Sequence, residues 1–537
     1  MRWKRPLFLL HRWAGIVLCL FFALWFLSGM FMMYVDFPEL TPLERRAGQR
    51  ALDFTAAHYS PVEAVARLRA GDFNVSGTPS GNLPLQIAQP EAAVGKIARV
   101  RLGMVLDRPV YHVHVPGAQP RTVFADTGEV LRTVPPESAV RAAAEFAARS
   151  GWITAEEISR LRHEGMLQTD QWTVSAALNA HRPLHKIAVN DAPGTVLYVS
   201  STTGEVVRDS QRVQRVLNYF GAVTHWLYPT FIRRHPDAWV WLVDILASIG
   251  IALAISGTWI GVLRWRRKRA AGESMTPYRG LMRWHHLTGL AFGVTAVTWV
   301  SSGLLSMNPG NLNPSGAPQD EEALAFAGTV LTVADFEAPD ADTFGASSVE
   351  AELLHYDRQP FYKVTNLDGS VRLSLARWDG AAHLPRVEDL LARAPALMPG
   401  TRVARAYLMT QYDDYYYTRR PEHGGTPLPV IRVQFADEQH TWFHVDPTTG
   451  QVLERSTRLN RVYRWLYNGL HSWDIRWLRE RRPLWDIAVL GFLLGGLVLS
   501  ILGVIAGVRR LRWELGITRR PVRVETRTGD GSLLSRR

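Results

Sequence analysis

The chain has 537 residues, of which 47% are hydrophobic, with a net charge of +12 and one cysteine. That length allows three or four domains, and the lone Cys19 excludes an intramolecular disulfide, a cysteine-based zinc site and an iron–sulfur cluster. A mean hydropathy of −0.07 suggests a soluble protein, but the apolar residues are concentrated in four blocks.

The blocks cover residues 13–35, 240–263, 287–307 and 484–508. Each is about 20 residues long, enough for a helix to cross the hydrocarbon core. The first follows a basic start (Arg2, Lys4, Arg5). Its apolar run is longer than that of a signal peptide and lacks a small-x-small cleavage site, so it predicts a retained helix with Cys19 as a packing residue. Basic residues gather in residues 1–12, between the second and third blocks (Arg264, Arg266, Arg267, Lys268, Arg269, Arg279, Arg283) and after the fourth block. These stretches carry a net +16, which leaves −4 for the rest of the chain, and the two long loops are mildly acidic. The asymmetry predicts a membrane protein with both termini and the middle loop cytoplasmic and both long loops extracytoplasmic. Nucleic acid is therefore a poor reading of the charge.

The chain repeats itself. Shifted by 274 positions, His11-x3-Gly15-x9-Trp25-x2-Ser28-Gly29 falls on His285-x3-Gly289-x9-Trp299-x2-Ser302-Gly303. Shifted by 246, Thr203-Gly204, Arg215-Val216, His225, Trp239, Gly257 and Gly261 fall on Thr449-Gly450, Arg461-Val462, His471, Trp485, Gly503 and Gly507. Both halves run in the same direction, so the pattern predicts parallel repeats about a twofold axis along the membrane normal. In the loops, alternating runs at 110–115 and 430–435 read as strands, and alanine-rich stretches at 137–148 and 387–396 as helices. Strands end in similar turns at 124–130, 199–206 and 445–452, and more loosely at Trp378-Asp379-Gly380, so each loop reads as a pair of small α+β units.

Four of the 17 histidines coincide under the repeat. His11 and His285 open the first and third blocks, and His225 and His471 precede the second and fourth. Each pair can face across the axis, and two opposed neutral imidazoles are what a six-coordinate b-type haem requires. Trp13, Trp25, Trp284 and Trp299 are candidate walls for its ring. The alternative is four interfacial histidines that contact headgroups or cap helices. Zinc or copper fits less well, since two histidines make half a tetrahedral set. His286 is an alternative to His285. Asp244 and Asp486 stand either as partners of the imidazoles or as helix caps. Met30, Met32 and Met33 read as apolar filling, with contact to iron or copper at the outer end of helix one as the alternative. Gln411-Tyr-Asp-Asp-Tyr-Tyr-Tyr-Thr-Arg-Arg420 reads as a Tyr-rich strand edge, with a chelate cradle as the alternative.

Leu10-His11-Arg12-Trp13-Ala14-Gly15 with Ser28-Gly29, its copy around His285 and Ser302-Gly303, and Trp465-Leu-Tyr-Asn-Gly-Leu-His471-Ser472 resemble the PepSY-associated membrane-helix family, which includes iron-regulated inner-membrane proteins and ferric-siderophore reductases. The strands ending in Thr-Gly-Glu/Gln-Val are similar to PepSY domains. The resemblance covers nearly the whole chain. It implies bis-histidine haems on His11, His285, His225 and His471, and one-electron reduction of an iron chelate at the outer face. This chain departs from compact members in its two long double-PepSY loops.

The expected architecture is an integral membrane α-helical bundle of four transmembrane helices in two parallel repeats, with two extracytoplasmic α+β PepSY-like regions. Its parts are helix one (1–35), a double PepSY-like region (36–214), an interfacial segment with helix two (215–263) and a cytoplasmic loop (264–284). Helix three (285–307), a second double PepSY-like region (308–460), an interfacial segment with helix four (461–508) and a basic tail (509–537) follow. The expected function is a transmembrane reductase with two b haems that passes electrons to a periplasmic ferric siderophore. No G-x-G-x-x-G follows a strand, so no flavin or NAD site is expected in this chain, and a cytoplasmic flavoprotein or a membrane quinol must be the donor. A non-enzymatic PepSY anchor and a metal or haem permease are the competing readings. A permease should carry broken helices or midplane polar residues, which the four blocks lack.

Overall fold

The computed structural model of the protein describes residues 4–68, 99–115, 119–265, 274–329, 331–339, 343–376, 384–419 and 424–517. Arg266, Arg267, Lys268 and Arg269, the Trp378-Asp379-Gly380 turn, Arg420 and the tail beyond residue 517 lie outside the described residues.

Among the described residues, four helices are long and apolar enough to cross a membrane. They are α1 (Lys4–Met32), α2 (Pro236–Arg264), α3 (Gly280–Leu305) and α4 (Leu484–Glu514). All four outrun their apolar blocks. The 29 residues of α1 make about 43 Å of helix, against a hydrocarbon core of about 30 Å. Hydropathy marks only the lipid-buried stretch, whereas backbone hydrogen bonding continues into the headgroup layer. His11 and His285 therefore sit inside their helices.

Each of α1 and α3 packs against both α2 and α4. The four helices thus form a ring in which α1 and α3 are diagonal partners. Leu18, Phe22 and Phe26 of α1, Leu253 of α2, Trp299 of α3 and Leu493 of α4 fill the centre. Val17, Leu20, Ile249, Val294, Ile487 and Val498 point outward. Lipid tails are as apolar as leucine, so close packing rather than water exclusion holds such a ring together. Gly250 faces Phe22, Gly495 faces Phe292 and Gly496 faces Phe26, and these small residues let the backbones approach.

The segments joining α1 to α2 and α3 to α4 fold into α+β structure at one end of the bundle. Among the described residues their strands form three sheets. One four-stranded sheet is β5 (Arg162–Leu167), β6 (Leu184–Ala188), β7 (Val196–Ser200) and β8 (Val206–Ser210). The helix Pro136–Arg149 covers it, setting Ala139, Ala143, Phe146 and Ala147 on Ile187, Leu197 and Val199. The other is β12 (Val403–Met409), β13 (Val430–Phe435), β14 (Trp442–Val445) and β15 (Val452–Ser456). Its cover is the helix Val387–Arg393, which Pro395 turns into a 3-10 segment, Ala394–Leu397. Gly204 and Gly450 end matching strands with φ of +76° and +69°. A Cβ there would strike Val105 and Tyr356, so the turn requires glycine.

The third sheet crosses between the two segments. β1 (Arg99–Val105), β2 (Arg108–His114), β3 (Arg121–Phe124) and β4 (Val130–Leu131) come from the first, and β9 (Ser348–Tyr356), β10 (Gln359–Asn366) and β11 (Val371–Leu375) from the second. β1 and β9 pair antiparallel through Arg101↔Glu352 and Leu102↔Ala351, making one seven-stranded sheet. A buried ion network locks this seam. Arg101 reaches Glu350 at 2.9 Å and Glu205 at 2.7 Å, and Arg45 reaches Glu350 at 2.7 Å. Burial alone would raise the Glu350 carboxyl, but Arg101 and Arg45 outweigh it and bring it down to about 2.

Candidate functional site

The two matched histidine pairs come together. The imidazole centroids of His11 on α1 and His285 on α3 are 6.3 Å apart, at the end of the bundle that carries the chain termini. Those of His225 and His471 are 6.2 Å apart, at the end that carries the α+β domains. Metal–nitrogen bonds of about 2 Å and ring radii of about 1 Å put the centroids of two imidazoles sharing one ion about 6 Å apart. Both pairs meet that spacing.

Local structure sets each ring. His225 ends a short helix, Ala222–His225, that restarts after Gly221 breaks the helix Arg212–Phe220. On the other side the helix Arg458–Arg464 runs on into a π turn, Trp465–Gly469, and His471 follows it. Single π turns recur at functional sites because they re-aim the side chains after them. Tyr467, in that turn, stacks on His471 with centroids 5.5 Å apart.

The hydrogen bonds fix the tautomers. His11 Nδ1 lies 3.2 Å from the Leu253 carbonyl, and His471 Nδ1 lies 3.2 Å from the Trp299 carbonyl. A carbonyl only accepts, so Nδ1 carries the proton and Nε2 keeps its lone pair. Ser28 Oγ donates to the Trp25 carbonyl at 3.1 Å and stands 3.0 Å from His225 Nδ1. Ser302 Oγ donates to the Thr298 carbonyl at 2.7 Å and stands 3.1 Å from His471 Nδ1. His285 turns toward the Leu499 carbonyl, short of a full hydrogen bond at Nδ1. Ligating histidines are held in this way, by the nitrogen that does not bind.

His286 is built differently. Its Nε2 bonds the Gly261 carbonyl at 2.9 Å and its Nδ1 lies 2.7 Å from the Thr276 hydroxyl. Both nitrogens are engaged, and the side chain ties α3 to α2. Between the two candidates, His285 is the one that faces His11.

A cavity of about 950 Å³ surrounds the His11–His285 pair. This lies within the range of about 300–1,000 Å³ typical of ligand and cofactor sites. Gly15, Gly257, Gly261, Gly289, Gly503 and Gly507 form much of its wall. A Cβ on Gly257 would come within 2.5 Å of His11 Cε1, and one on Gly503 within 2.6 Å of Cys19 Sγ. At the other pair, a Cβ on Gly29 would be 3.8 Å from His225 Cε1 and one on Gly303 3.5 Å from His471 Cε1. A glycine thus faces each of His11, His225 and His471 and leaves room for a flat group. Among the described residues no three His, Cys, Asp or Glu side chains gather as a metal cage. Donors in opposed twos suit an ion that brings its own in-plane ligands, and the residues present fit a haem.

Several expectations are corrected. Trp13 and Trp284 are 45% and 62% exposed and face outward, while Trp25 and Trp299 pack in the bundle core. Asp486 accepts from Tyr34 at 3.1 Å, and Asp244 Oδ1 has no partner, so neither orients an imidazole. The Tyr-rich segment is an irregular loop after β12, not a strand edge. The reason is a buried charge that sequence reading missed. Asp474 accepts from Arg419 and Arg479, each at 2.8 Å, and from the Tyr417 hydroxyl. The Tyr415 hydroxyl accepts from Trp465 at 3.1 Å, and Asp414 accepts from the Arg476 amide at 3.1 Å. The loop thus clamps the turn that carries His471. Burial alone would raise the Asp474 carboxyl, but Arg419, Tyr417 and Arg479 hold it below its ordinary value. Beside the clamp, a cleft of about 440 Å³ is lined by Met32, Phe37, Trp226 and Arg419.

The matched Ser28-Gly29 and Ser302-Gly303 pairs were the one sequence signal for these partners, because backbone carbonyls leave none. No curated protein matches the chain. A family model described as PepSY-associated TM region matches residues 8–366. The match takes in His11, His225 and His285, with His471 beyond it. The chain is a membrane protein and belongs to the PepSY-associated TM region family.

Proposed function

We propose that this chain is a haem-containing inner-membrane reductase that carries electrons across the bilayer to a periplasmic ferric chelate of the siderophore class. In this reading the halves are parallel repeats about an axis along the membrane normal, the termini are cytoplasmic, and the α+β regions are periplasmic PepSY-like pairs. The observation that carries the proposal is the two imidazole pairs, 6.3 and 6.2 Å between centroids, at opposite ends of one bundle.

When bound, haem b supplies one-electron carriage through its Fe(III)/Fe(II) couple. The chain's residues do the rest. His11 with His285 and His225 with His471 would hold two such groups, one toward each end of the bundle. Carbonyls and serine hydroxyls keep Nδ1 of His11, His225 and His471 protonated, which leaves each Nε2 lone pair free to bind and raises its basicity. The apolar ring of Phe22, Phe26, Leu253 and Trp299 excludes water between the centres. The clamp on Asp474 holds the turn that carries His471, and Arg419 of that clamp also lines the cleft with Trp226, where an acceptor can approach. Gaining one electron, Fe(III) in a hard-oxygen chelate becomes Fe(II) and is held less tightly. A flavoprotein or membrane quinol on the cytoplasmic side is the donor.

Proteoliposomes test the activity. With a reductant inside and a ferric chelate plus a ferrous-iron indicator outside, the protein should produce Fe(II) outside, and His471→Ala should not. Equal rates with protein and with empty vesicles would reject the reductase and favour the anchor.

A further inference from the structure

The cavity around His11 and His285 has two unlike parts. Its depth is apolar, with Phe22, Leu253 and Ala296, and its open end carries Arg12, Arg279, Arg509 and Arg510. Among the described residues no aspartate or glutamate lines it. A concentration of positive charge at the mouth of an apolar cavity calls for negative charge on whatever fills the cavity.

Arg12 and Arg510 are half-buried, and Nε of each is buried without a partner. Arg12 has no carboxylate partner among the described residues, and its guanidinium stands 5.3 Å from the Trp13 ring. Arg510 bonds Glu514 from Nη2 at 2.5 Å, and its guanidinium stands 4.1 Å from the Trp513 ring. The two share the seam between α1 and α4, where Gly507 approaches Ile16. One turn beyond that contact, on the antiparallel helices, lie Arg12 and Arg510. Topology alone accounts for basic residues at this end, but it does not account for these two. Arg5, Arg283 and Arg512 serve topology equally, and they are exposed and line no part of the cavity.

The repeat sharpens the point. His11, His285 and most of the cavity's glycines are symmetry-matched, whereas Arg12 and Arg509 have no arginine or lysine at the matching position. The counterpart of Arg12 is His286, already engaged with Thr276 and Gly261. The counterpart of Arg510 is Arg264, which stands 4.9 Å from the Phe8 ring and outside the cavity lining. The lining takes in Arg279 and Arg510 but not their counterparts Arg5 and Arg264, so its cations are unevenly placed about a symmetric ligand pair. It suits a flat, apolar group whose negative charges share one edge.

We propose that Arg12 and Arg510, with Arg279 and Arg509 at the rim, bind the two carboxylates of the porphyrin between His11 and His285, and so set its single orientation. This rests on the haem reading above. The same cations could otherwise hold an anionic lipid headgroup, and the test separates the two.

The full-length protein carrying His471→Ala, which leaves only the inner pair, is stripped and titrated in detergent. The probes are iron protoporphyrin IX and its dimethyl ester, which lacks both charges. Binding is read from the absorbance of the bis-imidazole complex, and phosphorus in the purified protein reports bound lipid. The free acid should bind on the order of tenfold or more tighter than the ester. Arg12→Gln/Arg510→Gln should erase that preference without changing ester affinity, and Arg12→Lys/Arg510→Lys should restore part of it. Equal affinity for acid and ester, with haem still bound, overturns this assignment and leaves the haem reading intact. An unchanged preference in the Gln variant, with lost phospholipid phosphorus, overturns it in favour of a lipid headgroup. Failure to bind either porphyrin, by this protein and by the chain with all four histidines, overturns the haem reading itself.

Discussion

Ser302 Oγ stands 3.1 Å from Nδ1 of His471, and because this hydroxyl already donates to the Thr298 carbonyl at 2.7 Å it accepts from the ring. Ser28 holds His225 in the same way at 3.0 Å. Loss of such an outer partner typically costs tenfold or more in metal affinity. Ser302→Ala should weaken haem retention at the outer centre about tenfold and leave the inner centre unchanged. Titration of each centre against an apoprotein acceptor checks this; equal loss at both centres would show general unfolding instead.

Gly257 faces His11 so closely that an added Cβ would lie 2.5 Å from Cε1. Gly257→Ala should displace the ring and empty the inner site, halving the haem per chain. Gly491, on α4, has nothing within 4 Å of the same added atom, and Gly491→Ala should keep full occupancy. Pyridine haemochrome assays of the two variants make the comparison.

His286 uses both nitrogens to join α3 to Gly261 and Thr276. His286→Gln should lower thermal stability while leaving two haems bound, whereas His285→Gln should remove one. Loss of haem in the first and not the second would reverse the assignment.

Asp474 is buried among Arg419, Arg464 and Arg479. Removing one partner of such a buried network typically costs about 3–5 kcal/mol. Asp474→Asn should destabilise the outer segment on that scale and lower retention at the outer centre. Denaturation followed by the spectrum of that centre measures both effects.

The α+β seam should weaken in acid. Burial, only partly offset by Glu205, brings His112 down to about 3, and burial with Arg101 and Arg99 brings His114 down to about 4, from an ordinary 6.5. Between those values the unfolded chain binds protons that the folded chain refuses. Stability is therefore lost as pH falls below about 6.5, by up to about 1.4 kcal/mol per pH unit for each histidine. Glu350 acts lower, because its folded value of about 2 lies below its ordinary 4.5. Its contribution is present above 4.5 and is lost as pH falls toward 2. The unfolding midpoint should thus decline already between pH 6.5 and 4.5, and His112→Gln should flatten that limb.

Much of this arrangement was legible because it rests on long apolar runs and rare residue types. The four blocks located the membrane helices, and the matched histidines lie together in two pairs. Helix ends were missed by several residues, since lipid burial and backbone hydrogen bonding end at different depths. Trp13 and Trp284 were misplaced because a position near a histidine does not fix the side of the helix, which rotates about 100° per residue. His285 could not be separated from His286 until the Gly261 carbonyl and Thr276 were seen. The β1–β9 pairing and the Asp474 clamp join segments more than 50 residues apart, through edges and charges that carry no local period.

The measurement that bears most directly on ligation is the absorption spectrum of the detergent-purified protein, oxidised and dithionite-reduced, with haem counted per chain. The four-histidine arrangement predicts a sharp low-spin b-type spectrum and two haems, with one lost in His11→Ala and the other in His471→Ala. A colourless protein from cells amply supplied with haem would contradict it.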